Sequence, residues 1–261
     1  MTSEWVRTGA LKELASYPRW LQDIIVGLRD RREQVSNHRL FRRMRDGTLS
    51  GEAARRFFIR VWPVIEQFPQ YMGRNLAKLE YGRPGHDLAR VFLTRNVRVE
   101  QSHADYWVEW AQASGVSLEE LLGGSDAAAS AALWHWCWYV CDRGTLAVAM
   151  AATNYAIEGV TGEWAHLVCS SDRYAESLPE AKRKSGMRWL RAHARYDDAH
   201  PWEALEVIAT ILGGHPSAAD SGRIQSALQE SYEYMRYTLE DCLAGEEGED
   251  LVQATSRERA A

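Results

Sequence analysis

Apolar and polar positions alternate at helical spacing along most of the chain, and no run of alternating β-branched residues bounded by turns interrupts them. The pattern predicts helices near 11–30 and 36–46. "GTLSGEAARRFF" then supplies a break and a serine cap before a long helix reaching about Leu79, with Pro63 and Pro69 expected to kink it. After the turn "YGRPGHD", helical spacing resumes from about Leu88 to Ser114. "SGVSLEELLGGSD" reads as a short helix in which Ser117 and Glu120 form a capping box. Further helices are expected near 126–142, 144–170, 178–195, 197–213 and 217–243. No internal repeat or linker separates two halves. Residues 1–245 are therefore read as a single all-α bundle around one core, and 246–261 as a polar, frayed tail.

A few polar residues stand out against this frame. In "RVEQSHADYW", Glu100 precedes His103 by three residues, so both lie on one helical face. Alone, such a pair is usually a surface ion pair. In "HARYDDAHPWEAL", His193, Asp197 and His200 stand at i, i+4 and i+7, and one continuous helix would present them on one stripe. Asp198 falls about 100° away from that stripe. Two imidazoles and a carboxylate in line suit iron or zinc.

Two further carboxylates sit in apolar surroundings. Glu66, in "WPVIEQFPQYM", is flanked by Trp62, Val64, Ile65, Phe68 and Tyr71, and Glu158 follows a nearly uncharged run from Leu146 to Ile157. A buried, unpaired carboxylate costs several kcal/mol, so each needs a cation. Arg60, Arg95 and Arg98 are the ordinary candidates. The sharper expectation is that Glu66, Glu100, Glu158 and Asp197 converge with His103, His193 and His200 on two metal ions. Two divalent cations would then neutralise the four carboxylates. Structural zinc takes mostly cysteine and histidine, whereas mixed carboxylate and imidazole ligation suits iron or manganese.

Composition narrows the remaining classes. The 31 basic and 36 acidic side chains are well mixed, for a formal charge of −5, which gives no support to a nucleic-acid surface. No apolar window approaches membrane-spanning or signal-peptide length, so a soluble cytoplasmic protein is expected. Cys137, Cys141, Cys169 and Cys242 show no C-x-x-C spacing and are read as free thiols. Most of the 11 tryptophans should be core, although wide aromatic side chains can also wall a dry pocket. His135 and His166 read as core or rim residues, and His38, His86 and His215 as capping or exposed ones. No P-loop, dinucleotide fingerprint or G-x-S-x-G is present.

The stretches "WPVIEQFPQYM", "RNVRVEQSHADYWVEW", "LAVAMAATNYAIEGVTGEW" and "HARYDDAHPWEALEVI", in this order, resemble the heme-oxygenase-like diiron oxidases. Among these the chain is most similar to the UndA-like fatty acid decarboxylases, which form 1-undecene, over about Arg7 to Cys242. The resemblance implies a heme-oxygenase-like (TenA/PqqC-like) bundle of about seven core helices whose iron ligands are the seven residues named above. It implies two Fe(II) ions, one of which can be labile, with O2 as co-substrate and a medium-chain fatty acid such as lauric acid in an apolar channel. Abstraction of a β-hydrogen and cleavage of C1–C2 would release CO2 and a terminal alkene. Substrate gives two electrons and O2 takes four, so an external donor such as a reductase or ferredoxin is implied. The same fold also hosts N-oxygenases, amino-acid-fragmenting oxidases and metal-free thiaminases with a cysteine nucleophile, for which Cys137 and Cys141 are the candidates. Chain-length selection by Tyr232, Tyr234, Tyr237 or the Trp134–Trp138 cluster, and the choice between monomer and homodimer, stay open at this level.

Overall fold

The computed structural model describes residues 12–125, 127–196 and 199–246. Every regular element among them is helical. A 3-10 turn (Leu14–Ser16) precedes α1 (Arg19–Gly27), α2 (Arg29–Ser36), α3 (Arg39–Arg45), the long α4 (Gly51–Leu76) and α5 (His86–Ala113), and the short α6 (Leu118–Gly123). Then come α7 (Ala128–Arg143) and α8 (Leu146–Met150), which runs without a break through a π-helical segment (Ala151–Ile157) into α9 (Glu158–Cys169). The chain closes with α10 (Arg173–Ser177), α11 (Arg183–Gly186), α12 (Arg188–Tyr196), α13 (His200–Leu212) and α14 (Ala218–Cys242).

Local chemistry explains the boundaries. Ser50 Oγ accepts from the Ala53 N–H at 3.1 Å and opens α4, and Ser117 and Glu120 form the expected capping box at α6. Pro63 and Pro69 lie inside α4, which continues through both to Leu76. Three expectations need revision. The helix expected over 11–30 begins only after Pro18, and Leu28 divides it from α2. The one expected over 178–195 is cut into pieces, because Leu178 is extended, Pro179 follows it, and Met187 separates α11 from α12. The histidine-bearing stripe is also divided. α12 and α13 are separate helices, with Pro201 in the first turn of the second. A proline carries no N–H and its ring opposes the carbonyl four residues back, so it starts a helix more readily than it continues one.

The core lies where α4, α5, α9 and α12 meet. Trp107, Trp110 and Trp189 are wholly buried there with Trp164, Phe41, Phe57 and Phe58. The rings pack edge-to-face and in stacks: Phe58 on Trp110 at 4.8 Å, Trp107 on Trp189 at 5.0 Å, Trp164 on Trp189 at 5.2 Å and Phe41 on Trp164 at 4.3 Å. α13 and α14 close over the π-helical segment. The approach of α13 to the start of α5 depends on Gly85. That residue sits at φ 76°, and a Cβ there would fall 2.7 Å from Ile211 Cγ1 and 3.0 Å from its backbone nitrogen. Among the described residues no helix is long and apolar enough to cross a membrane, and all four cysteines are free.

Candidate metal centre

One stripe of α5 carries Phe92, Asn96, Glu100, His103 and Trp107, all of them buried. Their spacing is helical, so they face the same neighbours. α9 contributes Glu158, α12 contributes His193 and α13 contributes His200, each less than a tenth exposed. Five ionisable side chains from four helices therefore meet in the interior.

They form two groups. Glu100, His103 and His193 offer ligand atoms within 4.8 Å of one another, and so do Glu100, Glu158 and His200. Glu100 belongs to both. His103 Nδ1 donates to Glu100 Oε2 at 2.9 Å, and the His103 and His193 rings lie 4.3 Å apart. His193 donates from Nδ1 to the Trp189 carbonyl at 2.9 Å, one turn back on α12. That bond fixes the tautomer and leaves Nε2 as a bare lone pair, the form a metal requires. The Trp189 ring also stacks on the His193 imidazole at 3.6 Å and 24°. The tryptophan cluster thus serves as the rigid backing of one ligand.

The second group depends on the π-helical segment. A π turn inserts an extra residue into the helical ladder and shifts the faces that follow. Here all seven residues of the segment are buried and Glu158 comes directly after them. Asn154, within it, donates from Nδ2 to Glu158 Oε2 at 2.9 Å. Glu158 Oε1 has no hydrogen-bond partner and lies 3.7 Å from His200 Nδ1, within ion-pairing range but too far for a hydrogen bond. A buried carboxylate oxygen left over beside an imidazole fits a bound cation, since carboxylate and imidazole both suit iron. Replacing Asn154 with alanine is expected to weaken iron at the Glu158–His200 position by about 10- to 100-fold, as loss of an outer-sphere support does. The Glu100–His103–His193 position should hold. A stepwise Fe(II) titration that loses its first and second equivalents together would count against this.

Not every predicted residue comes to the centre. Glu66 is exposed and joins neither group. It stands nine residues from both Phe57 and Asn75, which mark the buried stripe of α4, and nine residues is half a turn around a helix. Val64 and Phe68, two residues to either side, point inward while it points out. Charge neutrality over four carboxylates therefore loses one member. Asp197, like Asp198, lies outside the described residues. The arginines weighed as ordinary partners are engaged elsewhere: Arg60 with Asp241 at 2.6 Å and Arg95 with Glu203, while Arg98 is exposed. Two buried residues escaped the sequence reading, Asn154 and Asn96. Both sit four residues before an acidic site residue in the same helical run, and that spacing was the available signal.

The electrostatics follow from burial and crowding. Burial pushes the Glu100 carboxyl up, but His103, with His193 and His200 behind it, more than offsets this and leaves it below the ordinary value. Burial raises Glu158, and the neighbouring charge of Glu100 adds to the effect. For His193, burial and then the proximity of His103 lower the imidazole to about 3. Burial would also lower His200, but Glu158 and Glu100 outweigh it and the imidazole is raised. Protons therefore compete with metal more strongly at Glu158 and His200 than at His193. As pH falls below neutrality, iron should leave the Glu158–His200 position first. Iron content measured along an acid titration checks this, and simultaneous release of both equivalents would contradict it.

A buried, mixed set of carboxylates and imidazoles inside an all-α bundle defines a helical protein with a candidate iron-type centre. Residues 55–231, more than half of the chain, match the iron-containing redox enzyme family, and the chain belongs to that family. Its fold is heme-oxygenase-like. A TenA homolog from Pseudomonas syringae pv. tomato is 50% identical, with a TM-score of 0.87, over 92% of this chain and 98% of its own. A domain of unknown function with a heme oxygenase-like fold from Shewanella denitrificans shares that architecture at 14% identity and a TM-score of 0.66, over 94% of this chain and 96% of its own. A putative TenA-like thiaminase from Sulfolobus solfataricus does so at 14% identity and a TM-score of 0.63, over 85% of this chain and 95% of its own. None of the curated proteins matches the chain.

Proposed function

We propose that this protein is a nonheme diiron oxidase that uses O2 to convert a medium-chain fatty acid to a terminal alkene and CO2. The observation that carries the two-metal reading is Glu100, one carboxylate shared by two buried triads. In this reading Glu100 would serve both ions, His103 and His193 would hold one, and Glu158 and His200 would hold the other. Asp197, between the two histidines in sequence, would add a further ligand. Bound ferrous ions would supply the chemistry that reduces O2. The protein's own groups do the rest. Trp189 fixes the His193 tautomer through its carbonyl, Asn154 holds Glu158, and the tryptophan wall keeps water from the rear of the site.

The balance is complete when the acid loses two electrons and two protons as CO2 and alkene form. O2 takes four electrons and four protons to give two waters. Two electrons and two protons therefore come from an external donor of the reductase or ferredoxin class. The fatty-acid assignment rests on the sequence resemblance, and the metal centre supports it by supplying the type of site it needs.

A cysteine-based, metal-free chemistry has little support here. Burial pushes the Cys137 thiol well above its ordinary value and Cys141 up to about 12, so neither is a thiolate near neutral pH. The deciding experiment loads the protein with Fe(II), adds lauric acid, reductant and O2, and reads the headspace by gas chromatography. The expected product is 1-undecene. Absence of any terminal alkene across a series of acid lengths would sink the proposal.

A further inference from the structure

We propose that Asn96 receives the polar head of the substrate, its amide N–H donating to a carboxylate oxygen of the fatty acid beside the metal centre. This inference rests on the fatty-acid reading above. Three asparagines are wholly buried, Asn75, Asn96 and Asn154. Two have evident structural duties. Asn75 accepts from Lys78 Nζ at 3.1 Å and donates to Cys141 Sγ at 3.7 Å, and Asn154 supports Glu158. Asn96 has none, and both its Nδ2 and its Oδ1 lack any hydrogen-bond partner.

A buried amide with neither end satisfied is costly, so its presence in a core calls for a partner that comes and goes. Position says which partner. Asn96 lies one turn from Phe92 and one turn from Glu100 on the same stripe of α5. The Phe92 ring meets His200 edge-on at 6.5 Å, and Glu100 shares a triad with His200. The two residues that bracket Asn96 thus both reach His200, which places the amide against the Glu158–His200 side of the centre. Its neighbour Arg95 ties α5 to α13 through Glu203 and keeps that register.

The chemistry fits a carboxylate. A cationic metal already balances the charge of an acid head group, so a second cation is unnecessary. A neutral amide instead supplies a directed N–H that orients the carboxylate and, with it, the first carbons of the chain.

Calorimetry under anaerobic conditions on the iron-loaded protein tests the assignment, with laurate and dodecylamine as probes. Asn96→Leu should bind laurate about tenfold more weakly or worse, the loss expected for one hydrogen bond to a charged group. Asn96→Asp should weaken laurate further, by opposing two carboxylates, and should not weaken dodecylamine. Thermal unfolding of the metal-free protein supplies the readout that a structural role would move. Asn96→Leu should be at least as stable as the parent, because it removes an unsatisfied amide. Unchanged laurate affinity in both variants would overturn the role of Asn96 alone, and so would a lowered unfolding temperature for metal-free Asn96→Leu. A parent protein that binds no medium-chain acid would instead sink the fatty-acid reading, and the head-group contact with it.

Discussion

Replacement of Glu100 with alanine is expected to strip iron from both positions at once. His193→Ala should cost one and His200→Ala the other. The asymmetry follows from geometry, since Glu100 is the one residue common to the two triads. Losing a direct ligand should lower affinity by at least about 100-fold at each position, the upper range for outer-sphere partners alone. The change also leaves His103 without its carboxylate partner, which costs stability, so the folded fraction is the one to assay. Metal analysis after gel filtration, alongside circular dichroism, decides the matter. A folded Glu100→Ala protein that keeps a full equivalent of iron would refute the shared-carboxylate arrangement.

Trp189→Ala should produce the largest loss of stability. The side chain is wholly buried, stacks on His193, and packs against Trp107, Trp110 and Trp164. Removing an aromatic of this kind from a core costs about 3–5 kcal/mol. In a chain of this length that is a fall in Tm of roughly 6–20 °C. His193 would keep its bond to the backbone carbonyl of residue 189 but lose the ring that holds its plane, so iron at its position should loosen as well. Trp189→Phe is the informative companion. The indole N–H has no partner in the core, so phenylalanine discards an unsatisfied donor while keeping much of the stacking. Its cost should be well under half that of alanine. Thermal melts with chelator present measure the first effect and Fe(II) titration the second. Equal losses in the two variants would show that ring stacking is not what holds His193.

Much of the centre could be read from the sequence because helical spacing is geometry. Glu100 and His103 share a face wherever the segment is helical, and α5 is helical throughout that region. Glu158 declared itself by ending a long uncharged run. Neighbours in sequence, by contrast, do not fix orientation. Glu66 is surrounded by apolar residues in sequence, yet a helix turns Val64 and Phe68, two residues to either side, to the opposite face. Nor does helical spacing carry from His193 to His200. Those residues come from two helices, and the break lets each serve a different triad. Asn96 and Asn154 carry no charge and interrupt no pattern, so only their offsets from Glu100 and Glu158 could have pointed to them. Some contacts are tertiary and have no local signature. The stacking of Trp189 on His193 is one, and the close fit of Gly85 beneath Ile211 is another.

The π-helical segment has a consequence for how such a site arises and is lost. An α-helix advances about 100° per residue, so removing one residue between Met150 and Glu158 would let the segment close as ordinary α-helix. The bulge is what absorbs the extra residue, so the turns on either side, Glu158 among them, would stay close to where they are. What would change is the turn before it, and with it the four-residue offset that lets Asn154 donate to Glu158 Oε2. A single three-base deletion would thus loosen the support of the candidate Glu158–His200 position while leaving every proposed ligand in the chain.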